Sequence, residues 1–213
     1  MEIDLLDMYP KIIRDTKTRK LEMTNERKET AKEFGWEYFD KKGVCYGGYY
    51  YDGRWIPVVK RFIKHYKLKK GDKILDVVCG KGFMMYDFNN QGMITEGLDI
   101  SEYAKDCAIP DIKPHISIGN CKDLSRYHDK EFDLVISINT IHNLKEDECR
   151  KSVREIQRVG RNAFIVVDSY RNNIEKERML EWNITGETIK SDKEWTKLFK
   201  EEGYTGDYFW FIP

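Results

Sequence analysis

Short apolar runs alternate with helix-length segments over most of this chain. Five apolar runs predict buried strands, at residues 73–78, 94–99, 115–118, 133–139 and 162–168. Helices are expected between these strands near 82–89, 101–108 and 147–159, and after the last of them near 193–202. Strands that are joined by helical crossovers form mostly parallel sheets with helices on both faces. The pattern therefore predicts an α/β fold.

The two ends of the chain depart from this alternation. Residues 1–34 have weak helical periodicity, and aromatic residues and glycines are interleaved from Phe34 to Trp55. We interpret residues 1–55 as a helical and aromatic lid segment, and residues 56–213 as the main domain. A plain loop packed on the core is the alternative for the aromatic part. The final apolar run, 208–212, has no helix after it, so we expect a hairpin and an antiparallel last strand.

A glycine turn follows the first predicted strand. The strand carries one acid, Asp76, and ends in Cys79-Gly-Lys-Gly82. Glycines let the backbone turn tightly and approach a ligand closely. Asp99 ends the next predicted strand, where an acid can accept hydrogen bonds from ribose hydroxyls. Together these features predict a nucleotide site at the carboxyl ends of the strands.

These segments resemble the class I S-adenosylmethionine-dependent methyltransferases. Leu75-Asp-Val-Val-Cys-Gly-Lys-Gly82 is similar to their first motif, L-D-x-G-C-G-x-G, with Val78 at a glycine position. Three further segments are similar to the second, third and fourth motifs, namely Gly97–Asp99, Gly119–Cys121 and Phe132–Ile136. The resemblance implies a Rossmann-like seven-stranded sheet whose last strand is antiparallel, and S-adenosylmethionine as the cofactor. The flanking segments resemble small bacterial members of surface-polysaccharide or small-molecule pathways.

The resemblance also implies roles for individual residues. Those expected to bind the cofactor are Asp76, Val78, Gly80, Gly82, Asp99, Ile100, Asn120, Cys121, Asn139, Tyr46 and Arg54. His142 is the candidate general base, with Asn139 beside the transferring methyl group; a histidine that only packs the loop is the alternative. Those expected to contact the substrate are Tyr49, Tyr50, Tyr51, Tyr170 and Arg171. Arg54 is expected to pair with the cofactor carboxylate or with an acidic group of the substrate, and a solvated charge on a loop is the equal alternative.

Composition narrows the location and the partners. Lys+Arg and Asp+Glu are both 37, and the absence of a basic excess disfavours a nucleic-acid partner. No apolar run reaches the length of a transmembrane helix, and the acidic start is unlike a signal peptide, so we expect a cytoplasmic protein. The five cysteines and four histidines lack metal-ligand spacing, so we expect no metal site or disulfide framework.

The sequence thus predicts a methyltransferase that acts on a small polar acceptor, with a sugar or nucleotide-sugar hydroxyl as first choice. The alternative within the class is an N-methyltransferase acting on a small metabolite, a protein or RNA. A catalytically inactive cofactor-binding protein is the alternative of another class, because a β-branched Val78 strains a turn built for glycine. The sequence leaves open whether the chain forms a homodimer.

Overall fold

The computed structural model describes residues 1–11, 14–42 and 49–213, and over these it forms a seven-stranded sheet. The strands are β1 (Lys73–Val77), β2 (Ile94–Asp99), β3 (Ile116–Ile118), β4 (Phe132–Ile138), β5 (Gly160–Tyr170), β6 (Lys190–Ser191) and β7 (Asp207–Phe211). The helices are α1 (Thr16–Glu22), α2 (Asn25–Lys32), α3 (Trp36–Phe39), α4 (Ile56–Tyr66), α5 (Phe83–Asn90), α6 (Glu102–Asp106), α7 (Glu146–Val159), α8 (Asn173–Trp182) and α9 (Asp192–Glu201). The strand order is β3-β2-β1-β4-β5, with β6 and β7 both paired to β5. The predicted internal strands and crossover helices are confirmed to within about two residues at each end.

Both faces of the sheet are covered, which explains the continuous apolar runs in its central strands. On β4, Leu134 and Ile136 pack into one core cluster and Val135 packs into the cluster on the opposite face. Helices α4 and α5 cover the first of these faces, and α7 and α9 cover the second. The α/β prediction with helices on both faces is therefore confirmed. None of the helices in the described part of the chain is long and apolar enough to cross a bilayer.

The last strand is parallel to its neighbour, so the prediction of an antiparallel last strand is wrong. Residue pairs along β5 and β7 run in the same direction, from Phe164 opposite Asp207 to Asp168 opposite Phe211. The reason is helix α9, which begins at a capping box of Ser191 and Glu194 directly after β6. A hairpin reverses the chain, whereas a helical crossover returns it to the same end of the sheet. Strand β7 therefore starts where β5 starts.

The first residues of the chain are extended instead of helical, contrary to the helical prediction there. Glu2 forms a parallel bridge with Tyr208 on β7. The N–H of Ile3 donates to the Tyr208 carbonyl at 2.9 Å, and the Tyr208 N–H donates to the Met1 carbonyl at 3.0 Å. Backbone groups on a sheet edge need partners, and this segment supplies them for part of β7. Helices α1 and α2 confirm the helical prediction for the later part of the segment.

Candidate functional site

The glycine turn lies at the carboxyl ends of β1 and β2. The N–H groups of Val78 and Cys79 both donate to the Leu98 carbonyl, at 2.6 and 3.0 Å, and fix the start of the turn. Gly80 and Gly82 have left-handed φ values of 55° and 72°. A Cβ on Gly82 would lie 2.5 Å from Ile112 Cγ2, which is a severe clash. The turn therefore requires glycine for its conformation at both positions and for close packing at the second.

Val78 is the strained residue of this turn. Its φ is 70°, in the left-handed region that glycine adopts freely and that a β-branched residue rarely adopts. This conformation costs roughly 1–2 kcal/mol for an L-residue. The side chain is partly buried and packs against the core cluster that contains Leu98 and Cys121. Packing thus offsets part of the backbone strain.

Substitutions at Val78 should reverse the usual order of alanine and glycine. Alanine loses the valine packing and keeps the left-handed strain, whereas glycine loses the same packing and removes the strain. We expect the free energy of unfolding of Val78→Gly to exceed that of Val78→Ala by about 1 kcal/mol. Urea denaturation of the two variants measures this difference. An alanine variant that is as stable as the glycine variant would show that the turn does not hold a left-handed residue 78.

Asp99 connects the glycine turn to the start of α6. Its Oδ2 accepts the Gly80 N–H at 2.7 Å, and its Oδ1 accepts the Ser101 N–H at 2.8 Å. Ser101 in turn caps α6 by accepting the Ala104 N–H. The carboxyl is buried, and burial raises its pKa although the backbone hydrogen bonds act in the opposite direction. Each oxygen keeps a further lone pair, so this side chain can accept additional hydrogen bonds.

Asp76 is a second buried acid on the neighbouring strand. Burial, and then the negative charge of Asp99, raise the pKa of Asp76 to about 8. No salt bridge to Asp76 is found within residues 1–11, 14–42 and 49–213. Two neighbouring acids without a cation disfavour the doubly ionised state. A positively charged ligand group at this turn would stabilise the ionised form of Asp76.

Residues ahead of the main domain cover the glycine turn. The Nζ of Lys81, which is buried, lies 2.6 and 2.8 Å from the two carboxylate oxygens of Asp40, and donates to the Tyr49 carbonyl at 3.0 Å. The Tyr103 hydroxyl donates to the same carboxylate at 2.6 Å. The Phe39 ring lies over the turn, with Cε1 3.5 Å from the position of a Cβ on Gly80. The cover is held by a partly buried ion pair and by aromatic contact.

The predicted tyrosines differ in their environments. The rings of Tyr49 and Tyr38 are stacked with centroids 5.9 Å apart, beside the cover just described. The Tyr51 hydroxyl donates to Asp87 Oδ1 at 2.6 Å, which anchors it to α5. Tyr50 is 60% exposed. Tyr46 lies outside the described residues.

Arg54 forms a bidentate pair with a neighbour in sequence. Its Nε and Nη2 lie 2.8 and 2.6 Å from the carboxylate oxygens of Asp52. The guanidinium also lies 4.9 Å from the centre of the Tyr50 ring. In this arrangement its charge is already paired, and the predicted contact with a cofactor carboxylate stays a prediction.

Five more predicted residues lie around the rim of the sheet. Ile100 follows β2 and is 43% exposed, whereas Cys121 is buried with the Ser152 hydroxyl 3.6 Å from its sulfur. The Asn120 side chain accepts the N–H of Lys122 at 3.1 Å. Tyr170 ends β5, and the exposed Arg171 pairs with Glu2 at 3.3 Å. The structure does not bring Tyr170 and Arg171 to the glycine turn, because β5 is separated from β1 by β4.

A second buried polar group lies at the carboxyl ends of β4 and β5. Asn139 has a left-handed φ of 52°, and its N–H donates to the Val166 carbonyl at 3.0 Å. Its Oδ1 is buried and has no hydrogen-bond partner in the described part of the chain. Such an orphaned acceptor is costly, so a ligand donor at this position would stabilise the site. Asn139 follows β4 directly, and its place beside the transferring methyl group stays a prediction.

His142 and Asp168 form a buried pair beside Asn139. The His142 Nε2 lies 3.4 Å from the Asp168 Oδ2, and the Asp168 N–H donates to the His142 Nδ1 at 3.3 Å. Burial lowers the pKa of His142 to about 3. Burial also raises the pKa of Asp168 to about 7, and the charge of Arg14 opposes this rise. Histidine is therefore neutral here, and the carboxyl titrates near neutral pH.

The sequence pattern did not lead us to predict Asp168 as a site residue, although an acid after apolar strand residues is a recognisable signal. Like Asp76 and Asp99, Asp168 follows apolar residues of its strand, here Phe164-Ile-Val-Val167. Asp168 pairs with Phe211 of β7, and the charge of Arg14 acts on its carboxyl. The Arg14 guanidinium lies 4.6 Å from the centre of the Phe211 ring and 5.3 Å from that of Trp182. The indole N–H of Trp195 donates a hydrogen bond to the Asp168 carbonyl at 3.0 Å. Buried acids thus lie at two places along the carboxyl ends of the strands, Asp76 with Asp99 and Asp168 with His142.

Comparisons with known proteins agree with this arrangement. A family model described as a methyltransferase domain matches residues 75–166. An uncharacterized protein of Methanocaldococcus jannaschii, MJ1252, is 31% identical over 137 residues, which cover 64% of this chain and 51% of that protein. Ribosomal protein L11 methyltransferase of Thermotoga neapolitana is 28% identical over 146 residues, which cover 64% of this chain and 52% of that protein. The chain spans about half the length of these curated relatives.

A solved structure supports the fold independently. A SAM-dependent methyltransferase from Archaeoglobus fulgidus superposes with a TM-score of 0.55 over 70% of this chain and 68% of that chain. The two sequences are 16% identical, so this likeness concerns the fold alone. The matched family segment contains Asp76, the glycine turn, Asp99, Asn139 and His142.

Proposed function

We propose that this chain, which belongs to the class I S-adenosylmethionine-dependent methyltransferases, transfers a methyl group to a hydroxyl of a small polar acceptor. One observation carries the proposal. The glycine turn with Asp76 and Asp99 lies at the ends of β1 and β2, and the His142–Asp168 pair lies at the ends of the next strands, β4 and β5. In open α/β sheets, ligands bind beyond the carboxyl ends of the strands. Cofactor and acceptor would then lie side by side.

The chemistry of the turn fits S-adenosylmethionine. Asp99 would accept hydrogen bonds from the ribose, and Gly80 and Gly82 would admit the amino-acid end. Asp76 lacks a cationic partner in the described structure, and the α-ammonium group of the cofactor would supply one. Asn120 and Cys121 would border the adenine. The bound cofactor supplies a methyl group that its positively charged sulfur activates toward nucleophiles.

We assign residues 1–55 to a lid over this site. The Lys81–Asp40 ion pair and the Tyr51–Asp87 hydrogen bond hold the lid on the glycine turn and on α5. The tyrosines of this segment would enclose the acceptor, and aromatic rings favour a neighbouring cation such as a sulfonium. Closure of this kind excludes water from the reacting groups.

A sugar or nucleotide-sugar hydroxyl remains the first choice of acceptor. The balanced charge of the chain favours a small acceptor over a polyanion. A hydroxyl must lose its proton during transfer, and the buried His142–Asp168 pair supports the proposal because it contains groups that can exchange a proton. The assignment of His142 as the base itself stays a prediction. The name of the Thermotoga relative supports the second candidate, methylation of a protein nitrogen.

Cofactor binding should depend on pH through Asp76. Below its pKa of about 8 this carboxyl is protonated, and it must release the proton to pair with an ammonium group. Affinity for S-adenosylmethionine should therefore rise with pH between about 6 and 7.5, by at most about tenfold per unit. Calorimetric titration in two buffers of different ionisation enthalpy measures both the affinity and the released proton. Asp76→Asn should bind more weakly and without proton release.

The same titrations test the proposed function. Binding of both S-adenosylmethionine and S-adenosylhomocysteine is expected, and failure to bind either would remove the methyltransferase proposal. Asp106→Asn is the matched control, because this aspartate is exposed on α6. Turnover is then measured as S-adenosylhomocysteine formation with a panel of sugars, nucleotide sugars and amines. Cofactor binding without turnover on the panel would favour the inactive binding protein.

A further inference from the structure

We propose that the Asp168 carboxylate accepts the proton of the methyl acceptor, and that His142 is the residue that positions it. This inference rests on the proposed methyl transfer and changes the identity of the proton acceptor within the same site. It follows from the hydrogen bond and the side-chain contact of the buried pair, from its place at the ends of two strands, and from the orphaned oxygen of Asn139.

The His142 ring has no lone pair left for a proton. Its Nδ1 accepts the backbone N–H of Asp168, so in the neutral ring the hydrogen must lie on Nε2. The Nε2 then carries the hydrogen and lies 3.4 Å from the Asp168 Oδ2, in contact with the carboxyl but without a hydrogen bond to it. In this tautomer Nδ1 is occupied by the backbone of Asp168, and the Nε2 hydrogen lies beside the carboxyl of the same residue. A histidine held in this way orients a carboxylate and cannot itself take a proton from a substrate.

Asp168 has the accepting capacity that His142 lacks. A carboxylate offers about four lone-pair positions, and the 3.4 Å contact with His142 Nε2 leaves them available to a substrate hydroxyl. The charged and titratable groups that face this carboxyl are His142 from the segment after β4 and Arg14 from the N-terminal segment. Arg14 favours the ionised form and burial favours the neutral form. The carboxyl can therefore change its protonation state near neutral pH.

The position of Asp168 matches the reaction. Asn139 follows β4 and is hydrogen-bonded to Val166, two residues before Asp168 on β5. The unpaired Oδ1 of Asn139 can receive a hydrogen bond from the acceptor and orient it. An acceptor bound there lies between the glycine turn on one side and the Asp168 carboxylate on the other.

The proposed step conserves atoms and charge. The O–H bond of the acceptor breaks and its proton goes to an Asp168 oxygen. The electron pair of the acceptor oxygen forms the new bond to the methyl carbon, and the pair of the carbon–sulfur bond stays on sulfur as a neutral thioether. Asp168 later returns the proton to water.

A binding experiment tests this placement without knowledge of the acceptor. Sinefungin is a cofactor analogue that carries an ammonium group where the cofactor carries the methylated sulfonium, and S-adenosylhomocysteine lacks that charge. An ionised Asp168 near the methyl position should make sinefungin bind at least about tenfold more tightly than S-adenosylhomocysteine at pH 8. The preference should decrease as the pH falls below about 7, where Asp168 takes up a proton. Asp168→Asn should lose the preference and keep its affinity for S-adenosylhomocysteine.

The chain contains a matched control pair. His65 and Asp207 are also a histidine–aspartate pair, with Nε2 and Oδ2 2.8 Å apart. Asp207 begins β7 opposite Phe164, four residues before Asp168 on β5, so this pair is separated from the His142–Asp168 pair by roughly 13 Å along the strand. Asp207→Asn should retain the sinefungin preference. If Asp168→Asn also retains it, Asp168 does not lie near the methyl group and the inference is wrong, whereas loss of binding by the wild-type chain would instead reject the proposed function.

The positioning role of His142 has its own readout. His142→Gln keeps an N–H that can reach Asp168, whereas His142→Phe removes it, so the preference for sinefungin should be largely retained in the first and reduced in the second. On an acceptor found in the panel, Asp168→Asn should lower kcat at least about 100-fold with little change in cofactor affinity. The wild-type kcat should rise with pH through about 7. A kcat that is independent of pH in the Gln variant and the wild type alike would contradict the role of the pair.

Discussion

Asp99→Asn should lower the free energy of unfolding by about 2–4 kcal/mol and weaken S-adenosylmethionine binding at least about 100-fold. The carboxylate accepts two backbone N–H groups, from Gly80 at 2.7 Å and from Ser101 at 2.8 Å. An amide of the same shape has one oxygen, so its NH₂ group must face one of these donors. A buried N–H is then left without a partner, and the glycine turn is no longer tied to α6.

The measurements separate stability from binding. Urea denaturation at neutral pH gives the loss in unfolding free energy, and calorimetry on the folded variant gives the loss in affinity. Asp106→Asn, at the exposed end of α6, is the control; it weakens only an exposed ion pair with Lys113, so it should leave the affinity unchanged and lower the stability only slightly. Wild-type stability in Asp99→Asn would mean that the two hydrogen bonds contribute little. Wild-type affinity would mean that Asp99 does not hold the ribose.

Opposite pH dependences of stability are expected when the His142–Asp168 pair is split. In the wild type, between about pH 4 and 6.5, the folded pair holds one proton on Asp168 and the unfolded pair holds one proton on the histidine. The two contributions cancel, so the pair adds no slope to the stability curve. Removing either partner should expose the slope of the other.

The sign of each slope follows from the direction of the pKa shift. In Asp168→Asn, the lowered pKa of His142 remains; its contribution is present above pH 6.5, and stability should fall with decreasing pH by up to about 1.4 kcal/mol per unit. In His142→Gln, the raised pKa of Asp168 remains; its contribution is complete below about pH 4, and stability should fall as the pH rises to about 7. Urea denaturation at pH 4.5, 5.5 and 6.5, relative to the wild type, measures both slopes. Equal slopes in the two variants would contradict a neutral buried pair.

Much of the candidate site is local in sequence, which is why it could be predicted. Asp76 and the glycines lie within one strand and its turn, and Asp99 ends the next strand, so periodicity and residue type place them together. The strain at Val78 was also foreseeable, because a left-handed φ is expected at a glycine position of this turn.

Other parts of the site depend on contacts between distant segments. Lys81 meets Asp40 at 2.6 Å across 41 positions, and His142 meets Asp168 across 26 positions. No local pattern states which buried acid a histidine will face, or which of its nitrogens carries the hydrogen. Helix α8 and strand β6 were also not predicted, because the segment after β5 mixes apolar and charged residues without a clear period.

By itself, the sequence determined the α/β alternation, the turn at 78–82 and the acids that end β1 and β2, because hydrophobic period and glycine conformation act over a few residues. Only the tertiary structure decided the direction of β7 and the partner of His142. The chain can enter its last strand from either end of the sheet. The end from which β7 starts depends on how α9 packs against the whole sheet. Likewise, the protonation of the buried pair depends on burial by segments far apart in the chain, which no short stretch of residues encodes.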